Sequence, residues 1–309
     1  MRIGLGIGEL AGGPTPLDDL VKQARQAEEE GFASVWLPAA FGVDPFLAAA
    51  VIGRETVRLS VGTAVVPIFL LHPVAMAQQA LTAQAAARGR FSLGIGLSHQ
   101  VVVESMLGLS FARPFTHMRQ YLAAVAALIR NGTAAYEGSE YRVRASVAVA
   151  GAEPCPILLG ALAPRMLALA GAVADGTITW MTGPKTLRDY IVPTICAAAA
   201  QAGRPAPRVV AGLRVAVTEN VHAARAWAAR ALQFYGHLPS YRAMLQREGV
   251  SGPEDIIVVG DEDGVGEQVE QLAAAGVTEL LAIPFPVGEE RDESLQRTRR
   301  LLRALAQSK

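Results

Sequence analysis

The chain has 309 residues, 51% hydrophobic and 18% charged, a length and apolar content that suit one α/β barrel. Lys plus Arg and Asp plus Glu each number 28, so the net charge is zero, and with only 6% aromatic residues there is no basic, aromatic-interleaved stripe of the kind that selects nucleic acid or an anionic membrane. Cys155 and Cys196 stand far apart and are expected to be reduced, buried thiols; no leader-like or membrane-spanning apolar run is visible, so the expectation is a cytoplasmic protein.

Strand and helix alternate along the chain. Residues 2–8 read as the first strand. Thr15 suits an N-cap and Pro16 the first turn of a helix, with Asp18 and Asp19 at the positive end of its dipole. Leu17, Leu20, Val21, Ala24 and Ala27 form its apolar face, and Gly31 ends it. Residues 34–37 are the second strand and 45–54 the second helix. Residues 59–66 are apolar and largely β-branched, as in a strand covered on both faces, and Pro67, with no amide for the ladder, ends them. Residues 73–87 carry Val74, Ala77, Gln78, Leu81 and Ala85 at helical spacing, Gly89 breaks that helix, and 91–95 are the fourth strand.

A long excursion over residues 97 to about 114 comes next. Helix 116–130 carries Met118, Tyr121, Leu122, Val125 and Leu128, and residues 136–143 suit a small hairpin around Glu137-Gly138. Strands follow at 157–159, 177–180, 209–217 and 279–283. Helices follow at 164–172, 186–202 (with an alanine tract at 197–200), around 221–234 and 240–248, at 264–275 and at 293–306. Eight strands alternating with helices imply a closed (β/α)8 TIM barrel, a single domain over residues 1–309 with insertion segments, the largest after the fourth strand.

Barrel active sites lie at the C-terminal ends of the strands. That directs attention to Glu9 and to residues 38–41, 63–66, 97–100, 160–163, 181–183 and 284–286. Gly4, Gly6 and Gly8, like Gly94 and Gly96, hint at a dinucleotide fingerprint, but Glu9 and His99 stand where its third glycine belongs. His72, His99, His117, His222 and His237 form no tight ligand pair with a carboxylate, so no metal site is expected. Lys22, Lys185 and Lys309 do not fall at strand ends, which argues against Schiff-base chemistry. A cofactor barrel remains. In Gly160-Ala161-Leu162-Ala163-Pro164, small residues at a helix start let backbone amides approach an anion, although a plain tight turn would use the same residues. His99, with an ordinary pKa near neutrality, is a candidate for handling a proton, and Glu9 is a second; a hydrogen-bonded loop histidine and an exposed loop carboxylate are the plainer accounts.

Several stretches carry a resemblance: Gly62-Thr63-Ala64-Val65, the run Leu93-Gly94-Ile95-Gly96-Leu97-Ser98-His99, the segment from Ala174 to Trp180, Gly203-Arg204-Pro205, the segment from Leu238 to Met244, and Val259-Gly260-Asp261. Over essentially the whole chain they resemble the luciferase-like monooxygenase superfamily and, within it, the coenzyme F420-dependent oxidoreductases. The resemblance implies a deazaflavin held over a non-prolyl cis peptide bulge at Ala64–Val65, a bond that at an arbitrary position costs about 3–4 kcal/mol. It implies cofactor contacts from Thr63, Ala64, Val65, Ser98 and His99. It also implies a phosphate cradle from Gly160, Ala161, Leu162 and Ala163 together with Met181, Thr182 and Gly183. Hydride would pass between cofactor and a small organic substrate, with His99 and Glu9 the catalytic candidates. A homodimer through the faces of residues 74–87 and 121–128 is implied as well. The alternatives are an FMN-dependent monooxygenase using the same loops and a catalytically silent flavin-binding paralogue. The second arises because Ala39 and Ala40 stand where many relatives carry an acidic residue and a histidine.

Overall fold

Eight parallel strand positions close into a ring. In chain order the strands are β1 (Arg2–Gly6), β2 (Ser34–Leu37), β3 (Ser60–Thr63), β4 (Val66–Pro67), β5 (Phe91–Gly96), β6 (Thr133–Glu137), β7 (Arg142–Ser146), β8 (Ile157–Gly160), β9 (Gly176–Trp180), β10 (Arg208–Val217), β11 (Val258–Gly260) and β12 (Glu279–Pro284). The order β10-β12-β1-β2-β3-β5-β8-β9 returns to its start, because β9 pairs with β10. This is the (β/α)8 TIM barrel that the strand count implies. The computed structural model describes residues 1–289 and 291–308; Lys309, named above among the lysines, lies outside them. The excursion after β5 and the antiparallel β6–β7 hairpin are its insertions.

Several local expectations differ from the structure, each for a physical reason. The third strand is split into β3 and β4. Its backbone ladder to β5 lapses between the Gly62–Ser92 and Val66–Ile95 rungs, and the Thr63 side chain takes over. Its hydroxyl donates to the Gly94 carbonyl at 2.8 Å and accepts from the Gly94 amide at 2.9 Å. A Cβ at Gly94 would overlap the Thr63 carbonyl, so this approach needs glycine. Thr15 does not cap the first helix, Leu17–Glu29: its hydroxyl turns to the Gly13 carbonyl, 3.0 Å away. The helix expected over 186–202 is interrupted by a wide turn at Leu187–Ile191, just before Pro193, which has no amide and whose ring crowds the carbonyl four residues back. Cys155 is buried as expected, but Cys196 is exposed, on the outer face of the alanine-rich helix Val192–Gln201. β11 carries no alternating pattern that marks it in sequence. It joins β10 from Val215 onward, above the point where β9 ends opposite Gly212.

The apolar face of Pro114–Asn131 is also not a free surface. Met118, Tyr121, Leu122, Val125 and Leu128 are fully buried within the chain, where this helix lies against Pro73–Ala86 and the β6–β7 hairpin. Among the described residues no helix is long and apolar enough to cross a membrane, and no group of His, Cys, Asp and Glu is placed to hold a metal ion.

The barrel interior is apolar in its middle, where Trp36, Leu158, Ile178, Val210, Leu281 and Ile283 meet. Towards the N-terminal ends of the strands it is polar. There the Glu279 carboxylate, 1% exposed, accepts from the Ser34 hydroxyl, from Trp36 Nε1 at 2.9 Å and from Arg208 Nη2 at 3.2 Å. Arg208 donates its other nitrogen to Ser92 Oγ at 3.0 Å. One buried carboxylate thus ties β12 to β2 and β10, and through Arg208 to β5.

Truncating one partner of a buried charge pair strands the other. Glu279→Ala is expected to lower unfolding stability by about 3–5 kcal/mol, read as a lower urea midpoint, and Glu279→Gln by less, since its carbonyl still accepts from Ser34 or Trp36.

Candidate active site

At the C-terminal ends of the strands the chain builds an apolar shelf. The Ala64–Val65 peptide bond is cis. Ala64 donates its amide to the Leu37 carbonyl at 2.8 Å, and both residues join the inner cluster beside Leu10, Ile283 and Trp180. The Val65 side chain fills space that two glycines leave: a Cβ on Gly96 would come within 2.6 Å of its Cγ2, and one on Gly160 within 3.5 Å. Thr63, anchored on Gly94, sets the height of this shelf rather than facing the mouth with its hydroxyl. A platform of small and apolar side chains next to an indole is a surface on which a planar aromatic ring fits.

Two loops flank the shelf, and they differ. Gly160–Ala163 leads into the helix Pro164–Val173. Its N-cap, Ala163, makes no side-chain cap, Pro164 has no amide to satisfy, and the Met166 amide already donates to the Ala163 carbonyl at 3.0 Å, so the first-turn amide left open to an anion is that of Arg165. Tyr190 Oη donates to the Leu162 carbonyl at 2.9 Å and fixes the loop from outside. After β9, Met181-Thr182-Gly183 leads to a helix start that is already filled. The Glu248 carboxylate accepts from the amides of Lys185 at 3.0 Å and Thr186 at 2.7 Å. A Cβ on Gly183 would collide with that same carboxylate. Glu248 is a functional neighbour that sequence reasoning missed, since no local pattern links it to a loop 62 residues earlier.

His99 lies under an aromatic cap. Its ring meets Phe234, Tyr235 and Tyr241 edge-on, with centroids 5.8, 6.0 and 5.9 Å away. Tyr235 in turn meets Trp180 at 6.0 Å, which connects the cap to the shelf. The cap comes from the short helix Gln233–His237 and from Pro239–Glu248. Burial among these rings pushes the His99 imidazole below the ordinary histidine value, so at neutral pH it is a neutral group able to accept a proton or donate its single N–H. Burial likewise pushes the Tyr235 and Tyr241 phenols up, keeping them protonated.

Glu9 sits elsewhere. It belongs to the short turn Gly8–Leu10, presses against Gly42, and lines a small crevice with Thr15, Pro38 and Val43. Ala39 and Ala40 lie on that side too, half-buried and exposed. Among the described residues no ring contact, hydrogen bond or ion pair joins Glu9 to the His99 cluster.

Backbone geometry marks the same end of the barrel. Of five non-glycine residues with left-handed backbone, Phe41 (φ 67°), Ser98 (φ 61°) and Met181 (φ 51°) follow β2, β5 and β9. Such conformations persist where surroundings enforce them, and they cluster at functional sites. Sequence gave no sign of this for Phe41 or Met181, neither of which is a residue type favoured in that region. Arg214, on the inner face of β10, is a second residue that no motif announced.

Comparison with known proteins fits this geometry. The model of the luciferase-like monooxygenase family matches residues 5–279. An F420-dependent glucose-6-phosphate dehydrogenase of Nakamurella multipartita is 28% identical over 316 residues, covering 94% of this chain and 84% of the relative. Among solved structures, the coenzyme F420-dependent tetrahydromethanopterin reductase of Methanopyrus kandleri superposes with a TM-score of 0.79 at 20% identity, covering 97% of each chain. The oxygenating constituent of 3,6-diketocamphane monooxygenase of Pseudomonas putida, in complex with FMN, superposes with a TM-score of 0.74 at 17% identity, covering 99% of this chain and 97% of that one.

A histidine held neutral in the fold but free to ionise when unfolded gives the unfolded state more bound protons below the ordinary value of about 6.5. Stability is therefore expected to fall as pH drops below about 6.5, and His99→Phe to remove part of that fall. Denaturant midpoints of both proteins at neutral and mildly acidic pH measure the difference in slope.

Proposed function

The chain belongs to the luciferase-like monooxygenase family, and on that premise we propose that it is an oxidoreductase that uses coenzyme F420 to transfer hydride to or from a small organic substrate. The observation that carries this reading is the pairing of an apolar shelf at Ala64 and Val65 with an open helix start at Ala163. The likeness to a relative named for F420, over 94% of this chain and 84% of that relative, supports it.

The residues fit such a group. Ala64 and Val65, with Trp180 beside them, would carry the planar ring. The amides of Ala161 to Ala163 would meet the phosphate, with Thr182 and Gly183 forming the facing wall, whose helix start the Glu248 carboxylate already occupies through the amides of Lys185 and Thr186. When bound, the deazaflavin supplies a two-electron hydride carrier; the protein supplies binding, orientation and electrostatics. In the aromatic cap the buried Tyr241 shields one side of His99 from water, while Phe234 at its rim is exposed. His99 is the group beneath that cap that can take or give a proton, and its neutral state suits it to accept one from a substrate hydroxyl at neutral pH. Ser98, left-handed beside it, orients the loop. Among the described residues Glu9 makes no hydrogen bond, ion pair or ring contact with this cluster, so the proton step is assigned to His99. FMN in the same loops is the second reading, and the FMN-bound structural neighbour favours it only as far as fold.

A homodimer belongs to the same proposal. Its surface would be the exposed apolar side chains Leu47 and Val51 on the helix Pro45–Glu55, with Val57 just beyond, rather than the buried face of Pro114–Asn131. A dimeric mass by light scattering at micromolar concentration is the expected outcome.

Three further measurements test the cofactor and the site. In fluorescence titrations the protein is expected to bind F420 tightly and FMN weakly; the reverse order would transfer the proposal to the FMN reading. Gly160→Leu, which sets a bulky side chain against Val65 and Gly96, is expected to weaken F420 binding by about tenfold or more. His99→Phe is expected to reduce turnover by about a hundredfold while F420 affinity holds, the loss typical of a removed proton-transfer group.

A further inference from the structure

Arg214 is a charge without a counterpart. Along β10, Val210, Gly212 and Arg214 share one face, and Val210 packs in the interior cluster, so Arg214 points inward. It stands at a seam: β9 stops pairing at Gly212, β11 begins at Val215, and β12 runs alongside with Ile283 opposite. Its guanidinium lies 5.3 Å from the ring centre of Trp227, which is itself stacked on Phe285 at 4.4 Å. Among the described residues it makes no hydrogen bond or ion pair, and its Nε is buried without a partner. Tyr235, protonated at neutral pH, offers no compensating charge. A half-buried, unpaired guanidinium is costly to the fold, and such a group is retained where a ligand completes it.

The geometry points to Arg214 as the anchor for a carboxylate carried by the substrate, whose apolar body lies along Trp227, Tyr235 and Trp180. This rests on the oxidoreductase reading given above and adds the substrate class: apolar or aromatic carboxylic acids. The planar guanidinium fork matches a carboxylate with two parallel hydrogen bonds. A phosphate of the cofactor shares this oxyanion chemistry, but the small-residue loop at Gly160–Ala163 offers it an open helix start of its own.

Benzoate and its uncharged counterpart benzamide are the probes, read by tryptophan fluorescence in protein without cofactor; Trp180 and Trp227 are the reporters at this wall. Benzoate is expected to bind at least about tenfold more tightly than benzamide. Arg214→Met is expected to abolish that preference, with Arg214→Lys intermediate. F420 affinity of Arg214→Met, followed by the cofactor's own fluorescence, is expected to stay unchanged. Its melting temperature is expected to equal or exceed that of the parent, since an unpaired buried charge has been removed. Equal binding of the two probes by the parent, or benzoate binding retained in Arg214→Met, overturns the proposal. Parallel loss of F420 assigns the residue to the cofactor, and a lowered melting temperature assigns it to the fold; either overturns it too. If the parent binds benzoate but not F420, the cofactor reading fails and the anion site stands.

Discussion

One buried carboxylate sets the frame on which the rest depends. Glu279 accepts hydrogen bonds from β2 and β10, and Arg208 carries the link on to β5. A closed barrel has no free edge, so its registers must all agree around the ring. Directional bonds across the hollow fix those registers where apolar packing alone would tolerate slippage. Buried polar networks act this way only when every member is satisfied, and here the Ser34 hydroxyl, the Trp36 indole and both terminal nitrogens of Arg208 have partners. The brace lies at the N-terminal ends of the strands, which leaves the other end free for chemistry.

At that other end the design changes character. The shelf, the open helix start and the aromatic cap come from separate segments of chain: residues 64–65, 160–163 and 233–248. Each is held by a contact of its own. Thr63 clasps Gly94 below the shelf, Tyr190 fixes the Leu162 carbonyl, and Glu248 ties the cap's last helix to the loop after β9. Electrostatics divide the mouth in the same way. His99 is kept neutral by its aromatic neighbours, whereas Arg214 has only the Trp227 ring face and the protonated Tyr235 phenol beside it.

Much of this was legible in the chain. Helical spacing, proline and glycine punctuation and the count of strands lead to the barrel, because each of those signals is local and repeated. The shelf residues and the small-residue turn at Gly160 could be found by motif. What escaped was long-range. Glu248 serves a loop far away in sequence, and nothing near it marks the role. β11 is three residues with no alternation. Thr15 looks like a cap by type but its hydroxyl finds a nearer carbonyl. The interrupted helix after β9 follows from Pro193, which residue-by-residue propensity undervalues in an alanine-rich stretch. Arg214 differs again: its position on β10 was predicted, but its want of a partner is a property of everything around it.

The Thr63 clasp has a consequence for how this scaffold changes. Because a side chain, not the backbone ladder, joins β3 to β5 at that level, the two residues just above it carry no pairing duty toward β5. The surface offered at the mouth is thereby uncoupled from the alignment of the strands beneath. Substitutions at Ala64 or Val65 and at Glu279 share no hydrogen-bonding partner; their common neighbour is Trp36, which packs in the same inner cluster and donates to Glu279, so any departure from additivity passes through that indole. A lineage, or an engineer, is then free to reshape the floor of the chamber one residue at a time without reopening the question of whether the barrel closes.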